Sequence, residues 1–132
     1  MTVYNPKSIV SAALLLCLVA VSPAALGADK SVSVEGILVD SKCYLKDNSL
    51  IGNDHGPMKQ CGTMCLKAGT PAAVLTKDKK FHAIIAPSSA LADIVGEKVR
   101  VNGSLHSGSI LADKVEVNKS GKWEEVKLGA MM

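Results

Sequence analysis

Hydrophobic and polar residues alternate with a period of two along several stretches of this chain. Lys98 to Leu105 sets Val99, Val101 and Gly103 against Lys98, Arg100 and Asn102, the pattern of a strand with one buried face. Ser31 to Asp40 alternates through Val32 and Val34 and, past Gly36, continues with Ile37 and Val39 on the opposite parity. Gly36 is therefore expected to mark a bulge or kink at a barrel corner. Ala72 to Thr76 and Phe81 to Ala86 are strand-like runs joined by the Lys77-Asp78-Lys79-Lys80 turn. Ile110 to Val117 follows a turn at His106-Ser107-Gly108-Ser109, and Trp123 to Leu128 reads as a last, edge strand. Val32, Val34, Val74, Ile84, Val99, Val101 and Val115 are the expected core of one barrel.

Between the first two strands the pattern changes. Tyr44 to Gly56 is polar and turn-forming, a loop that carries His55 at its end. Pro57 suits the first turn of a helix, and Gly69-Thr70-Pro71 supplies a stop, so residues 57–68 are expected to be a short helix. Met58, Cys61 and Cys65 would then share one face. Gly62 and Thr63 are poor helix formers, so this helix needs packing or a ligand to hold it. Ser88 is expected to cap a second short helix running to Val95 and ended by Gly96. Five or six short strands with one or two short helices predict a mainly β fold: a small barrel of the oligonucleotide/oligosaccharide-binding (OB) type, with a β-sandwich as the alternative.

The N-terminal segment stands apart. Lys7 precedes an apolar run of 13 residues, Ile9 to Val21, and Pro23 with Ala24-Ala25-Leu26-Gly27 supplies a breaker and a small-residue cleavage site. A membrane span needs ~20 residues. Residues 1–27 therefore read as a secretory signal peptide, with a mature chain beginning at Ala28 or Asp29 in the periplasm or outside the cell. Residues 31–128 are then expected to form a single domain. The formal charge of +3 (15 minus 12) becomes +2 (14 minus 12) without Lys7, acids and bases are interleaved, and the aromatics left are Tyr44, Phe81 and Trp123. Nucleic-acid binding thus lacks both the phosphate attraction and the stacking it requires.

Cleavage also removes Cys17 and leaves three cysteines, an odd number for an oxidising compartment. Cys43, His55, Cys61 and Cys65 fall within 23 positions. As four soft or borderline donors they form a Cys3His set suited to zinc. Recruiting Met58 or Met64 would give a sulfur-rich set suited to copper(I). The alternative is a non-catalytic interaction module of the cell envelope, stapled by a disulfide from Cys43 to Cys61 or Cys65 worth ~3 kcal/mol. Redox exchange is a third reading, but the spacing is not Cys-x-x-Cys. No haem-attachment motif, Ser/His/Asp order, phosphate loop or paired-carboxylate pattern is present, so hydrolysis has no support. Asp40 is placed to cap or turn the chain, or to hold the His55 ring; His82 and His106 read as solvent-facing.

The pattern Asp40-x-x-Cys43, His55-x5-Cys61-x3-Cys65-x3-Gly69, with Val74 to Phe81 and Val99-x-Val101-x-Gly103, resembles a group of small exported bacterial proteins of uncharacterised function. The resemblance covers nearly all of the mature chain and implies that Cys43, His55, Cys61 and Cys65 matter, without supplying a reaction. Lys79 departs from it, standing where that group tends to have Gly. The Cys61-x3-Cys65 spacing also resembles the copper segments of cytochrome oxidase subunit II and of the chaperones that metallate it. There the histidine follows the cysteine pair, whereas His55 precedes it.

Overall fold

The structure, a computed structural model, describes residues 30–129; the expected leader and its cleavage site lie outside them. Strand β1 (Lys30–Asp40) is the axis of the fold. Its first part pairs antiparallel with β4 (Lys98–His106) and its last part, from Ile37, with β2 (Ala72–Leu75). β2 pairs with β3 (Phe81–Ile85), β4 with β5 (Ser109–Lys119), and a parallel pairing of Ile84 with Ile110 and Ile85 with Leu111 closes the circuit. The result is a closed five-stranded OB-like barrel. β6 (Lys122–Val126) lies outside it on β5.

The expected parity change in β1 has a different cause from a bulge. The register with β4 runs unbroken through Gly36. Instead, the end of the strand is covered on both faces: Leu38 points into the barrel with Val74, Val99 and Val101, while Ile37 and Val39 face outward into a second cluster with Tyr44, Leu75 and Phe81. Tyr44 and Phe81 stack there at 5.6 Å between centroids. Gly36 is needed for proximity, because a Cβ would run into the Leu75 carbonyl as β1 changes partners. The ladder's irregularity falls in β5, where Asp113 is the extra residue opposite the Asn102–Gly103 step.

Of the expected core, Val74, Ile84, Val99, Val101 and Val115 are buried, and Val32 and Val34 pack against them half-buried. The barrel's open end is plugged by Leu66 of α2 (Cys61–Lys67), by Leu91 of α3 (Ser88–Leu91) and by Ile94 of the 3-10 turn that follows. Ser88 does not cap α3; its hydroxyl donates to the Leu66 carbonyl at 3.0 Å and joins the two helices. On the outer face the Arg100 guanidinium binds Glu35 at 2.7 Å and lies 4.1 Å from the Trp123 ring centre, covering the largest aromatic surface of the described residues.

The core assignment makes a stability prediction. Leu38 is 0% exposed and Ile85 is 51% exposed. Leu38→Ala should lower the unfolding free energy by ~2–5 kcal/mol, and Ile85→Ala by about 0.5 kcal/mol or less, as read from urea midpoints at unchanged m-value.

Candidate metal centre

The cluster is carried by the segment between β1 and β2, one of the loops with which OB barrels bind ligands. The sequence pattern predicts no helix between the first strand, ending at Asp40, and the loop from Tyr44. Cys43 lies instead in a short helix, α1 (Ser41–Lys46), because Asp40 ends β1 in extended conformation and its Oδ1 accepts the Lys42 N–H at 3.0 Å, capping the turn. The Ser41 hydroxyl donates to the Pro71 carbonyl at 2.6 Å, pinning α1 to the start of β2.

The helix expected over 57–68 begins only at Cys61. His55 and Met58 exchange two backbone hydrogen bonds across a tight turn with Gly56 at φ 59°, and Gln60 is left-handed at φ 54°. Pro57 therefore sits in this turn, and Met58 is not part of the helical face. Asp54 fixes the detour by accepting the Gln60 N–H at 2.7 Å and pairing with Lys59 at 3.1 Å.

Asn53 replaces the missing cap of α2. Its carbonyl accepts the Gly62 N–H at 3.0 Å, and its side-chain oxygen accepts the Thr63 N–H at 2.8 Å. Gly62 permits this closeness, since a Cβ would lie 2.6 Å from Val95. Sequence reasoning missed Asn53; its only signal was an Asx residue inside the Gly52-Asn53-Asp54 turn.

These contacts bring the predicted residues together in two overlapping groups. Cys43, His55 and Cys61 place one donor atom each within 4.8 Å of one another, and Asp40, Cys43 and Cys65 do the same. The predicted four thus converge, but Cys65 falls in with Asp40 rather than with His55. All three thiols are free, with Sγ separations of 4.3 Å. The alternative disulfide staple is therefore not formed in this structure, since a bond needs ~2.05 Å. The observed separation stands close to the ~3.8 Å edge of a tetrahedron with metal–sulfur bonds of ~2.3 Å. The cluster is therefore close enough to hold a metal ion.

The polar atoms fit that reading. His55 is 5% exposed, and its Nε2 lies 3.0 Å from the Gly52 carbonyl. A carbonyl only accepts, so Nε2 carries the proton and Nδ1 keeps its lone pair, the arrangement that orients a ligating imidazole. His55 Nδ1 and Asp40 Oδ2 are the two buried side-chain nitrogen or oxygen atoms left without a hydrogen-bond partner among the described residues. Asp40 thus caps α1 as expected, but it does not hold the His55 ring; Gly52 does. His82 bonds the Gly108 carbonyl at 3.0 Å, His106 meets the Ser104 hydroxyl at 3.0 Å, and neither joins the cluster.

Met58 and Met64, 58% and 67% exposed, flank a groove of about 500 Å³ into which Cys61 and Cys65 open. Comparisons with protein-family models, curated proteins and solved structures return no match.

Burial first, and then the Asp40 carboxylate and the neighbouring sulfurs, push the Cys43 thiol from its ordinary 9.0 up to about 12, and burial and Asp40 raise Cys65 as well. Metal-free, Cys43 is protonated on both sides of folding below pH 9.0, so its contribution is intact there. Between pH 9.0 and about 12 the unfolded chain ionises first and stability falls. Urea midpoints of the metal-free protein taken on either side of pH 9.0 should show this alkaline loss, and Cys43→Ala should reduce it.

Proposed function

We propose that this chain is an exported metal-binding module whose Cys43, His55 and Cys61 hold a zinc-class ion, with Cys65 as a further donor. The observation that carries the reading is buried His55, its ring oriented by Gly52 and its Nδ1 left without a partner, with a ring nitrogen within 4.8 Å of two thiols. An imidazole and thiolates together suit zinc. The apparent leader at residues 1–27 supports export, and in an oxidising compartment a bound ion would keep three unpaired thiols from reacting. Removing the protons that burial holds on Cys43 and Cys65 makes binding tighter as pH rises.

A second reading, copper(I), is favoured by one observation: the thioethers of Met58 and Met64 border the groove onto which Cys61 and Cys65 open. In either case the partner is a metal ion, with an envelope protein as its source or recipient. No enzymatic reaction is assigned.

Native mass spectrometry of the exported protein tests both parts of the proposal. The expected species begins at Ala28 or Asp29 and carries zinc. At free zinc near 100 times Kd, binding should add ~2.7 kcal/mol and raise Tm by roughly 10–20 °C, and His55→Gln should abolish most of the rise. A zinc-independent Tm, or a chain retaining Ile9 to Val21, contradicts the proposal.

A further inference from the structure

We infer that the cluster is built for two divalent ions bridged by the Cys43 thiolate, an inference that rests on the single-ion reading above and extends it. The two donor groups share only Cys43: one adds His55 and Cys61, the other Asp40 and Cys65. Each group includes one of the two residues that carry a buried side-chain atom without a hydrogen-bond partner, His55 with Nδ1 in the first and Asp40 with Oδ2 in the second. One ion at the first group satisfies His55 and leaves the Asp40 carboxylate, 1% exposed, with the weak Cys65 thiol donor beside it in place of a cation. A buried carboxylate so weakly partnered is costly.

Charge points the same way. One divalent ion at the first group offsets the Cys43 and Cys61 thiolates and leaves the buried Asp40 carboxylate uncompensated; two divalent ions offset three thiolates and the carboxylate with no charge left over. A thiolate sulfur that has bonded one ion retains lone pairs for a second. The Asp40 oxygen is a hard donor, so the second position favours zinc over copper(I). Three protein donors for each ion leave one tetrahedral position for a ligand from outside the chain, and Cys61 and Cys65, one from each group, both open onto the groove beside Met58 and Met64.

The test titrates the reduced, metal-free mature chain with zinc sulfate and counts bound zinc by native mass spectrometry at saturation. The wild type should take up two zinc ions per chain. Asp40→Asn, which keeps an oxygen to accept the Lys42 N–H, should take up one, with an unchanged far-UV spectrum. Cys65→Ser leaves the α1 cap intact and should also take up one, reading the same position independently of Asp40. Saturation of the wild type at one zinc, or either variant still binding two, overturns the second site and leaves the single-ion reading standing. A wild type that binds none removes both.

Discussion

Burial of both faces of β1 at its C-terminal end is the constraint on which the rest of the structure depends. Leu38 is committed to the barrel and Val39 to the outer cluster under Tyr44 and Phe81. The next residue, Asp40, is consequently carried into the interior at the point where the chain must turn. A buried carboxylate there is tolerable because one oxygen caps α1. The carboxylate also brings an oxygen within 4.8 Å of the Cys43 and Cys65 sulfurs, and the cluster grows from that junction.

The opposite wall is set by Asn53. By accepting both the Gly62 and Thr63 N–H groups it docks the loop on α2, while Thr63 donates to the Ala92 carbonyl at 2.9 Å and ties the helix to the 3-10 turn. His55 and Cys61 are thereby fixed on either side of the same polar anchor. Seven residues of helix with glycine and threonine inside are a weak element alone. Leu66 in the barrel mouth and Asn53 at the N-terminus supply what propensity does not. The Cys43 and Cys65 thiols, raised by burial and by Asp40, stay protonated without a cation, and a cation reverses the sign of the field that raises them.

Much of this was legible in the residues. Period-two alternation marked the strands, and the inward positions of β4 and β5 follow it, because a barrel strand with one wet face leaves no other pattern. The clustering of Cys43, His55, Cys61 and Cys65 was likewise visible. What escaped lay where local chemistry and tertiary contact compete. Pro57 is equally at home in a helix's first turn and in a β-turn, and Asp54 holding the Gln60 N–H decides for the turn. Opposite-parity apolar residues after Gly36 resemble a bulge until a second hydrophobic cluster is seen to cover the outer face. Lys79, at φ 65°, adopts the left-handed turn for which glycine is the usual residue. Asp40 as a candidate donor could not be read from the sequence, since its cap role already accounts for an Asp at that place.

X-ray absorption at the zinc edge, on the protein loaded with one equivalent, addresses the central claim most directly. The account predicts a mixed shell with zinc–sulfur distances of ~2.3 Å and an imidazole contribution at ~2.0–2.1 Å, the latter lost in His55→Gln. A shell of oxygen and nitrogen alone, or an imidazole signal that survives His55→Gln, would contradict it.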